Sequence, residues 1–276
     1  MEPGIMLYIG CKVDVFEQIK ILKEIGVRHT FINAKHPEID RVLRAINQAG
    51  LICDTIHSEY AITHNGEKIH MDDISRAGEA GEIMVSRIMK NMDTCAKHNI
   101  PVIVVHPSYD SPELAINAIA KQRYTALGDY AREKGVTIAF ENLKYTKNLE
   151  FIMSAVPDAK FCWDCGHEYS RLADEKPMPL FRDKLAALHI HDNFITSDDH
   201  LIPFTGKVDF DYVAKELARS GFDGTLMLEI LYGRNNTYTT EPTYKDFACK
   251  AKLAAEKLIG MVNRYRGSRG ISFAAP

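Results

Sequence analysis

Short apolar runs alternate along the chain with longer stretches in which apolar residues recur at helical spacing. Between Val15 and Ile25, for example, Val15, Ile19, Leu22 and Ile25 would share one face of a helix. The apolar runs have the length and the β-branched content of buried strands. We therefore predict eight strands: Met6–Gly10, His29–Asn33, Leu51–Ser58, Val102–His106, Thr137–Glu141, Lys160–Asp164, Ala187–His191 and Thr225–Ile230.

The stretches between these runs predict helices that connect successive strands. They cover Val15–Ile25, Pro37–Gln48, Glu79–His98, Ser111–Lys134, Lys147–Ala155, Asp211–Ser220 and Tyr244–Tyr265. This alternation predicts an α/β fold, a (β/α)8 TIM barrel in a single domain over residues 1–266, followed by a tail over 267–276. A doubly wound open sheet is the alternative. It is weakened because YIGCKVDVF, at the end of the first strand, lacks the G-x-G-x-x-G pattern.

Polar residues close most of the predicted strands. They are His57, His106, Glu141, Asp164, His189 and Glu229, and His167 follows Asp164 after one short turn. A barrel brings the carboxyl ends of its strands to one face, so these side chains would meet in one polar cup. Mixed carboxylates and imidazoles suit Mn²⁺, Zn²⁺ or Co²⁺ better than Ca²⁺. The pattern predicts an enzyme that uses one such divalent metal ion or more than one.

The two glutamates carry most of this prediction. Glu141 follows the run VTIAF and Glu229 follows TLML, and strand alternation points both side chains into the barrel. A buried carboxylate is costly unless a cation balances it. A salt bridge to a barrel lysine or arginine is the structural alternative, but the predicted inward strand positions supply neither. We expect Glu141 and Glu229 to be catalytic.

Spacing leaves the roles of two neighbouring motifs open. His189 and His191 face inward together, so one of them can be a hydrogen-bonded lining residue rather than a ligand. The sequence SDDH, which contains Asp198 and His200, is either a solvated acidic loop or an arm that folds over the cup.

Composition narrows the class of protein. The 276 residues are 46% hydrophobic and 26% charged, as in globular domains, and 34 Lys+Arg against 37 Asp+Glu give a net charge of −3. This balance does not suggest a nucleic-acid-binding tail. The sequence has no basic signal segment and no run long enough for a membrane span, and Cys162-x-x-Cys165 lacks the second cysteine pair of a zinc ribbon. We expect a reduced, cytoplasmic protein without membrane association.

Six motifs follow one another in the order HPSYD, AFENL, DCGHEY, LHIHDN, DDHLIPFTGKVDFDYV and GFDGTLMLEI. Together they resemble the xylose isomerase-like TIM barrel superfamily, which contains sugar and sugar phosphate isomerases and epimerases as well as endonuclease IV. The resemblance extends from His57 to Glu229. It implies a metal-dependent isomerase or epimerase of carbohydrate metabolism that acts on a small sugar or sugar phosphate.

The sugar epimerase branch holds one divalent ion with residues from strands five to eight. The resemblance implies that the metal ligands are Glu141, Asp164, His189 and Glu229. His189 is preferred to His191 because the family places an acidic residue three positions after its ligand, as Asp192 is here. The paired glutamates would transfer protons through an enediolate. We expect the substrate to contact His57, His106, His167, Asp198 and His200.

Endonuclease IV is the alternative. That branch uses nine ligands for three zinc ions, and the chain offers a full set: His57, His106, Glu141, Asp164, His167, His189, Asp198, His200 and Glu229. Such a phosphodiesterase acts on abasic DNA and needs clustered basic groups, whereas Lys144, Arg171 and Lys207 are dispersed. We favour the sugar and do not expect nucleic acid as a partner. However, NFITSDDH lacks the arginine that ketohexose 3-epimerases carry in this loop. The exposed outer helices are compatible with a homodimer.

Overall fold

Eight parallel strands form one sheet in the structure, a computed structural model that describes residues 1–108, 116–171, 175–233 and 243–270, without the side chains of 268–270. These strands are β1 (Pro3–Ile5), β2 (His29–Asn33), β3 (Ile52–His57), β6 (Val102–Val105), β7 (Thr137–Glu141), β8 (Lys160–Asp164), β9 (Leu185–His189) and β10 (Leu226–Leu228). A separate antiparallel hairpin, β4 (Ala61–His64) and β5 (Glu67–His70), follows β3.

The sheet closes into a TIM barrel, as predicted. Its order is β10-β1-β2-β3-β6-β7-β8-β9, and the two end strands meet through Ile190. The Ile190 amide donates to Met227 O at 2.9 Å, and Ile190 O accepts the Glu229 amide at 3.1 Å. The carboxyl ends of all eight strands therefore surround one face of the molecule.

Helices cover the outside of the barrel. They are α1 (Val15–Glu24), α2 (Ile39–Ala49), α3 (Glu79–Lys97), α4 (Ala118–Lys134), α5 (Thr146–Ala155), α6 (Cys165–Ser170), α7 (Pro177–Phe181), α8 (Phe210–Ser220) and α9 (Tyr244–Gly270). Asn117 caps α4 by accepting from the Ala120 amide, so the helix starts later than predicted, and residues 111–115 of the prediction lie outside the described residues. Helix α9 continues to Gly270, four residues past the predicted end of the barrel.

The first strand differs from the prediction. The ladder forms at Pro3–Ile5 rather than at Met6–Gly10, and beyond it only Leu7 makes a further bridge, to Ile32. A Cβ at Gly4 would lie 2.6 Å from Thr225 Cγ2, so glycine allows the close approach of β1 to β10. The segment that was predicted as a strand instead reaches the mouth of the barrel.

The predicted strand alternation is confirmed in β7. Ile138 and Phe140 pack with the helices in the main core. Ala139 faces the barrel interior, where it packs with Val104, Cys162 and Ala187. Glu141 is two residues after Ala139, so the same alternation points its side chain inward at the carboxyl end of the strand.

Among the described residues, no helix is long and apolar enough to cross a membrane. All six cysteines are free. Cys162 and Cys165 are buried, and burial raises the pKa of Cys162 to about 12, so both thiols of the C-x-x-C sequence belong to the packed interior.

Candidate active site

A cavity of about 560 Å³ opens at the carboxyl ends of the barrel strands. Its polar wall contains most of the residues that the strand ends predicted: His57, His106, Glu141, His167, Asp198, His200 and Glu229. Asp164 and His189, the other two predicted ligands, are fully buried and contact this wall through Glu141, Glu229 and His167. The predicted polar cup therefore exists as one cluster.

Glu141 is the centre of the cluster. Its side chain is fully buried at the end of β7. Oε2 lies 3.0 Å from His189 Nδ1, 3.3 Å from His57 Nε2 and 3.5 Å from His106 Nε2, and Oε1 lies 3.1 Å from His167 Nδ1. Within the described part of the chain, the ion-pair partners of Glu141 are all imidazoles. The structural alternative for Glu141, a salt bridge to lysine or arginine, is therefore not observed among the described residues.

The four predicted metal ligands converge. Glu141, Asp164, His189 and Glu229 each present one ligand atom, and these atoms lie within 4.8 Å of one another. His189 Nδ1 is also 3.1 Å from Glu229 Oε2, so it lies between the two glutamates. Glu141 Oε1, Asp164 Oδ2 and Glu229 Oε2 are buried without a hydrogen bond. Two of them, Glu141 Oε1 and Glu229 Oε2, lie 3.1 Å from an imidazole nitrogen without the alignment of a hydrogen bond. Buried carboxylate oxygens usually have a hydrogen-bond partner, and a divalent cation is a ligand partner that suits them.

Short local contacts hold Asp164 in this position. Asp164 caps α6, because its Oδ1 accepts from the His167 amide at 2.6 Å. Asn142, the residue after β7, fixes the backbone of Asp164. Its side chain donates to the Asp164 carbonyl at 2.7 Å and accepts from the Asp164 amide at 2.8 Å. Trp163 Nε1 donates to the buried Glu168 carboxylate at 2.8 Å, which ties α6 to β8. The D-x-x-H spacing thus results from one capped helical turn.

The SDDH segment folds over the cup rather than lying in solvent. Asp198 Oδ2 is 2.9 Å from Arg171 Nη2, 3.3 Å from His200 Nε2 and 3.4 Å from His167 Nε2. With His191, three of these residues form a second group that could hold a metal ion: His167, His191, Asp198 and His200. His191 Nε2 lies 3.1 Å from Asp164 Oδ1 and 3.5 Å from Asp198 Oδ1, without the alignment of a hydrogen bond.

His57 and His106 form a third group with Glu141. Their Nε2 atoms are 3.1 Å apart, and His57 Nδ1 donates to Ser58 O at 2.8 Å. Tyr60 stacks on the His106 ring at 5.0 Å. Glu141 belongs to this group and to the four-ligand group, and its Oε1 lies 3.1 Å from His167 Nδ1 of the second group, so these three groups adjoin one another.

Burial opposes the charges of Glu141, His167 and His191, and pairing with neighbouring charges overcomes it for these three groups. Burial acts to raise the pKa of Glu141, but His189 and His106 hold it well below its usual range. Burial acts to lower the pKa of His167, but Asp164 and Asp198 raise it well above the usual value. For His191 the same balance, with Asp164 as the main partner, gives a pKa of about 8. Burial lowers the pKa of His106. The protonated rings of His167 and His191 therefore balance part of the carboxylate charge.

The polar strand ends do not predict the apolar wall of the cavity. It includes Met6, Tyr8 and Leu231, while Lys35 and Arg171 supply basic groups. Tyr8 lies in the segment that was assigned to the first strand, and the shifted register places it at the cavity instead. Gln18 fixes this loop, accepting from the Tyr8 amide at 3.1 Å and donating to the Tyr8 carbonyl at 3.0 Å.

Known proteins share this architecture. The uncharacterized protein y4fM of Sinorhizobium fredii (strain NBRC 101917 / NGR234) is 27% identical over 251 residues, which cover 80% of this chain and 79% of that protein. D-psicose 3-epimerase from Clostridium cellulolyticum H10, solved with D-tagatose, has a TM-score of 0.73 at 14% identity over 95% of this chain and 99% of its own. The 3-keto-D-glucoside 4-epimerase YcjR of E. coli has a TM-score of 0.70 at 17% identity, over 94% and 99%.

At these identities the two solved structures show a common fold. Family membership rests on sequence: the family model described as the xylose isomerase-like TIM barrel matches residues 14–248. This range includes every strand end that contributes to the cup. The chain belongs to the xylose isomerase-like TIM barrel family.

Proposed function

We propose that this protein is a divalent-metal-dependent isomerase or epimerase of a sugar or sugar phosphate. The observation that carries the proposal is the pair Glu141 and Glu229, which contact one imidazole nitrogen, His189 Nδ1, at 3.0 and 3.1 Å. They belong to β7 and the end of β10, and both line the cavity. Two carboxylates that reach one substrate from different strands suit proton transfer at two positions.

Glu141, Asp164, His189 and Glu229 would hold the ion, because their buried ligand atoms converge and three oxygens among them lack a hydrogen bond. The bound ion would polarise a substrate carbonyl and make the neighbouring C–H more acidic. Mn²⁺, Zn²⁺ or Co²⁺ fits this mixture of carboxylate and imidazole.

The side chains of Glu141 and Glu229 would carry out the proton transfers. Opposing the effect of burial, the imidazoles hold the pKa of both Glu141 and Glu229 below the usual value, so both are ionised at neutral pH in the protein without metal or substrate. One ionised glutamate accepts the proton from the carbon next to the carbonyl. Return of that proton by the same glutamate to the adjacent carbon gives the isomer. For the epimer, the opposite glutamate must take up a proton from solvent before the cycle and donate it to the other face of the same carbon, so the two glutamates end with exchanged protonation states.

The remaining polar residues of the wall would bind the substrate hydroxyl groups: His57, His106, His167, Asp198 and His200. The cavity volume of about 560 Å³ is within the range of small-molecule sites. The two enzymes compared above are named for D-psicose and for a 3-keto-D-glucoside. These names support a keto sugar as the substrate class.

A zinc phosphodiesterase that resembles endonuclease IV is the second candidate. It is favoured by three adjacent ligand groups. Two of them share Glu141, one of which contains His57 and His106, and the third contains His167, Asp198 and His200. It is disfavoured by charge. Among the described residues, the basic groups that line the cavity are Lys35 and Arg171, and Arg171 already contacts Asp198 at 2.9 Å. A DNA backbone requires several phosphate contacts.

The deciding experiment combines the metal content with two substrate tests. The protein is stripped with a chelator, reloaded with Mn²⁺, Co²⁺ or Zn²⁺, and its ions per chain are counted. Deuterium incorporation from D₂O into a panel of keto sugars and their phosphates is followed by NMR, and nicking of an abasic duplex is followed on a gel. One ion with deuterium incorporation supports the isomerase. Three zinc ions with nicking, and no incorporation into any sugar, would overturn it.

A further inference from the structure

His191 lies between the two aspartates of the site, Asp164 and Asp198. Its ring is fully buried, with Nε2 at 3.1 Å from Asp164 Oδ1 and at 3.5 Å from Asp198 Oδ1. The ring stacks on His200 with a centroid distance of 4.1 Å and an angle of 17°. The remaining nitrogen, Nδ1, faces the Asp192 carbonyl at 3.3 Å. The imidazole of His191 therefore contacts both aspartates, the His200 ring and the Asp192 carbonyl, and it is not one of the four converging ligands.

The backbone of the D-x-x-H turn is shaped around this ring. A Cβ at Gly166 would lie 2.0 Å from His191 Cε1 and 2.3 Å from its Nε2, so a side chain at position 166 would displace the ring. Asn193 anchors the same turn from the other segment, donating to Gly166 O at 2.8 Å. The close approach of α6 to residues 191–193 thus depends on a glycine at position 166.

The two oxygens of Asp164 have different surroundings. Oδ1 accepts from the His167 amide at 2.6 Å and contacts His191 Nε2 at 3.1 Å. Oδ2 is buried and has no hydrogen bond, and Asp164 belongs to the four-ligand group. When one oxygen of a carboxylate is fixed, the direction of the other oxygen is fixed as well. Contacts outside the ligand shell change metal affinity by orienting the ligands in this way.

We infer that His191 is a positioning residue, which fixes Asp164 through Oδ1 so that Oδ2 faces the metal position, and which ties Asp164 to the Asp198–His200 segment. This inference rests on the metal centre proposed above. His191 is not a ligand of the four-residue centre, although it belongs to the second group of potential ligands. It sets the affinity of the centre by holding a ligand, and it links the segment that covers the cup to the strand that carries the ligand.

The test uses His191→Gln and His191→Ala in the full-length protein. His29→Gln is the matched control, because His29 Nδ1 pairs with Asp54 at 2.9 Å at the amino end of β2, away from the cup. Zn²⁺ affinity is measured by competition with a chelating dye at one pH, and the ions per chain are counted. The absorption spectrum of the Co²⁺-loaded protein reports the geometry of the ligands.

Both His191 variants should bind Zn²⁺ about 10- to 100-fold more weakly, the range found for outer contacts of metal ligands, with an unchanged number of ions per chain and an altered Co²⁺ spectrum. His29→Gln should match the wild type. Unchanged affinity in a folded His191→Gln protein would overturn the inference and leave the metal centre standing. Loss of one ion per chain would also overturn it, because His191 would then be a ligand. A wild-type protein that binds no metal would remove the proposed function itself.

Discussion

Metal binding should depend on pH through the proton that His189 carries. Its Nδ1 lies 3.0 Å from Glu141 Oε2 and 3.1 Å from Glu229 Oε2. Burial acts to lower the pKa of His189, but the surrounding groups, including both glutamates, raise it well above the usual value. The metal-free ring is therefore protonated at neutral pH. An ion that binds Nδ1 must displace this proton, so affinity should fall as pH falls.

The size of the effect follows from the number of protons released. The glutamates release none between pH 6 and 8, because their pKa values are lowered and both are already ionised. His191 has a pKa of about 8 and keeps its proton if it is not a ligand. One proton per ion makes the apparent association constant rise about tenfold per pH unit, or about 1.4 kcal/mol.

The measurement is Zn²⁺ competition against a dye whose own protonation is known, at several pH values from 6 to 8. Calorimetry in two buffers of different ionisation enthalpy gives the proton count independently. His29→Gln serves as a control and should give the wild-type slope. A slope near zero would refute the assignment of the proton to His189 Nδ1, and a slope near two would show that a second imidazole loses its proton.

Three further predictions concern single substitutions. Glu141→Gln and Glu229→Gln should each lower kcat about 10²- to 10⁴-fold with an unchanged circular dichroism spectrum. Wild-type turnover in either variant would show that the substituted glutamate does not transfer a proton. His200→Ala should weaken a second metal or substrate contact more than the first ion; unchanged metal count and kinetics would exclude this residue from the site. Trp163→Phe removes the Nε1 donor of the buried Glu168 carboxylate. It should lower the free energy of unfolding in urea by about 1–3 kcal/mol, and an unchanged midpoint would contradict this.

The sequence was most informative where a local pattern has one structural meaning. A polar residue at the end of an apolar run lies at the carboxyl end of a strand, and this was enough to bring Glu141, Asp164 and Glu229 together. The choice between His189 and His191 was not local, because a period of two puts both on one face. The structure separates their contacts: His189 faces the glutamates, while His191 packs beside Gly166.

The strand Pro3–Ile5 and the hairpin β4–β5 were missed for opposite reasons. Pro3–Ile5 has low strand propensity, and pairing with β10 determines its place, so tertiary contacts override the local preference. The hairpin β4–β5 does have a strong local signal. Asn65 and Gly66 form its turn with φ of 49° and 84°, as Asn-Gly does in two-residue hairpins, but the prediction has no strand between Ser58 and Glu79.

The closure of the barrel at Ile190 determines when the cup can form. His189 and His191 are the neighbours of Ile190 in the chain, and the Glu229 amide donates a hydrogen bond to the Ile190 carbonyl from the end of β10. The last barrel strand must dock between β9 and β1 before these groups face one another. A nascent chain that lacks residues 226–229 thus has no complete coordination sphere, and we expect metal to be acquired after the ring has closed rather than to guide its assembly.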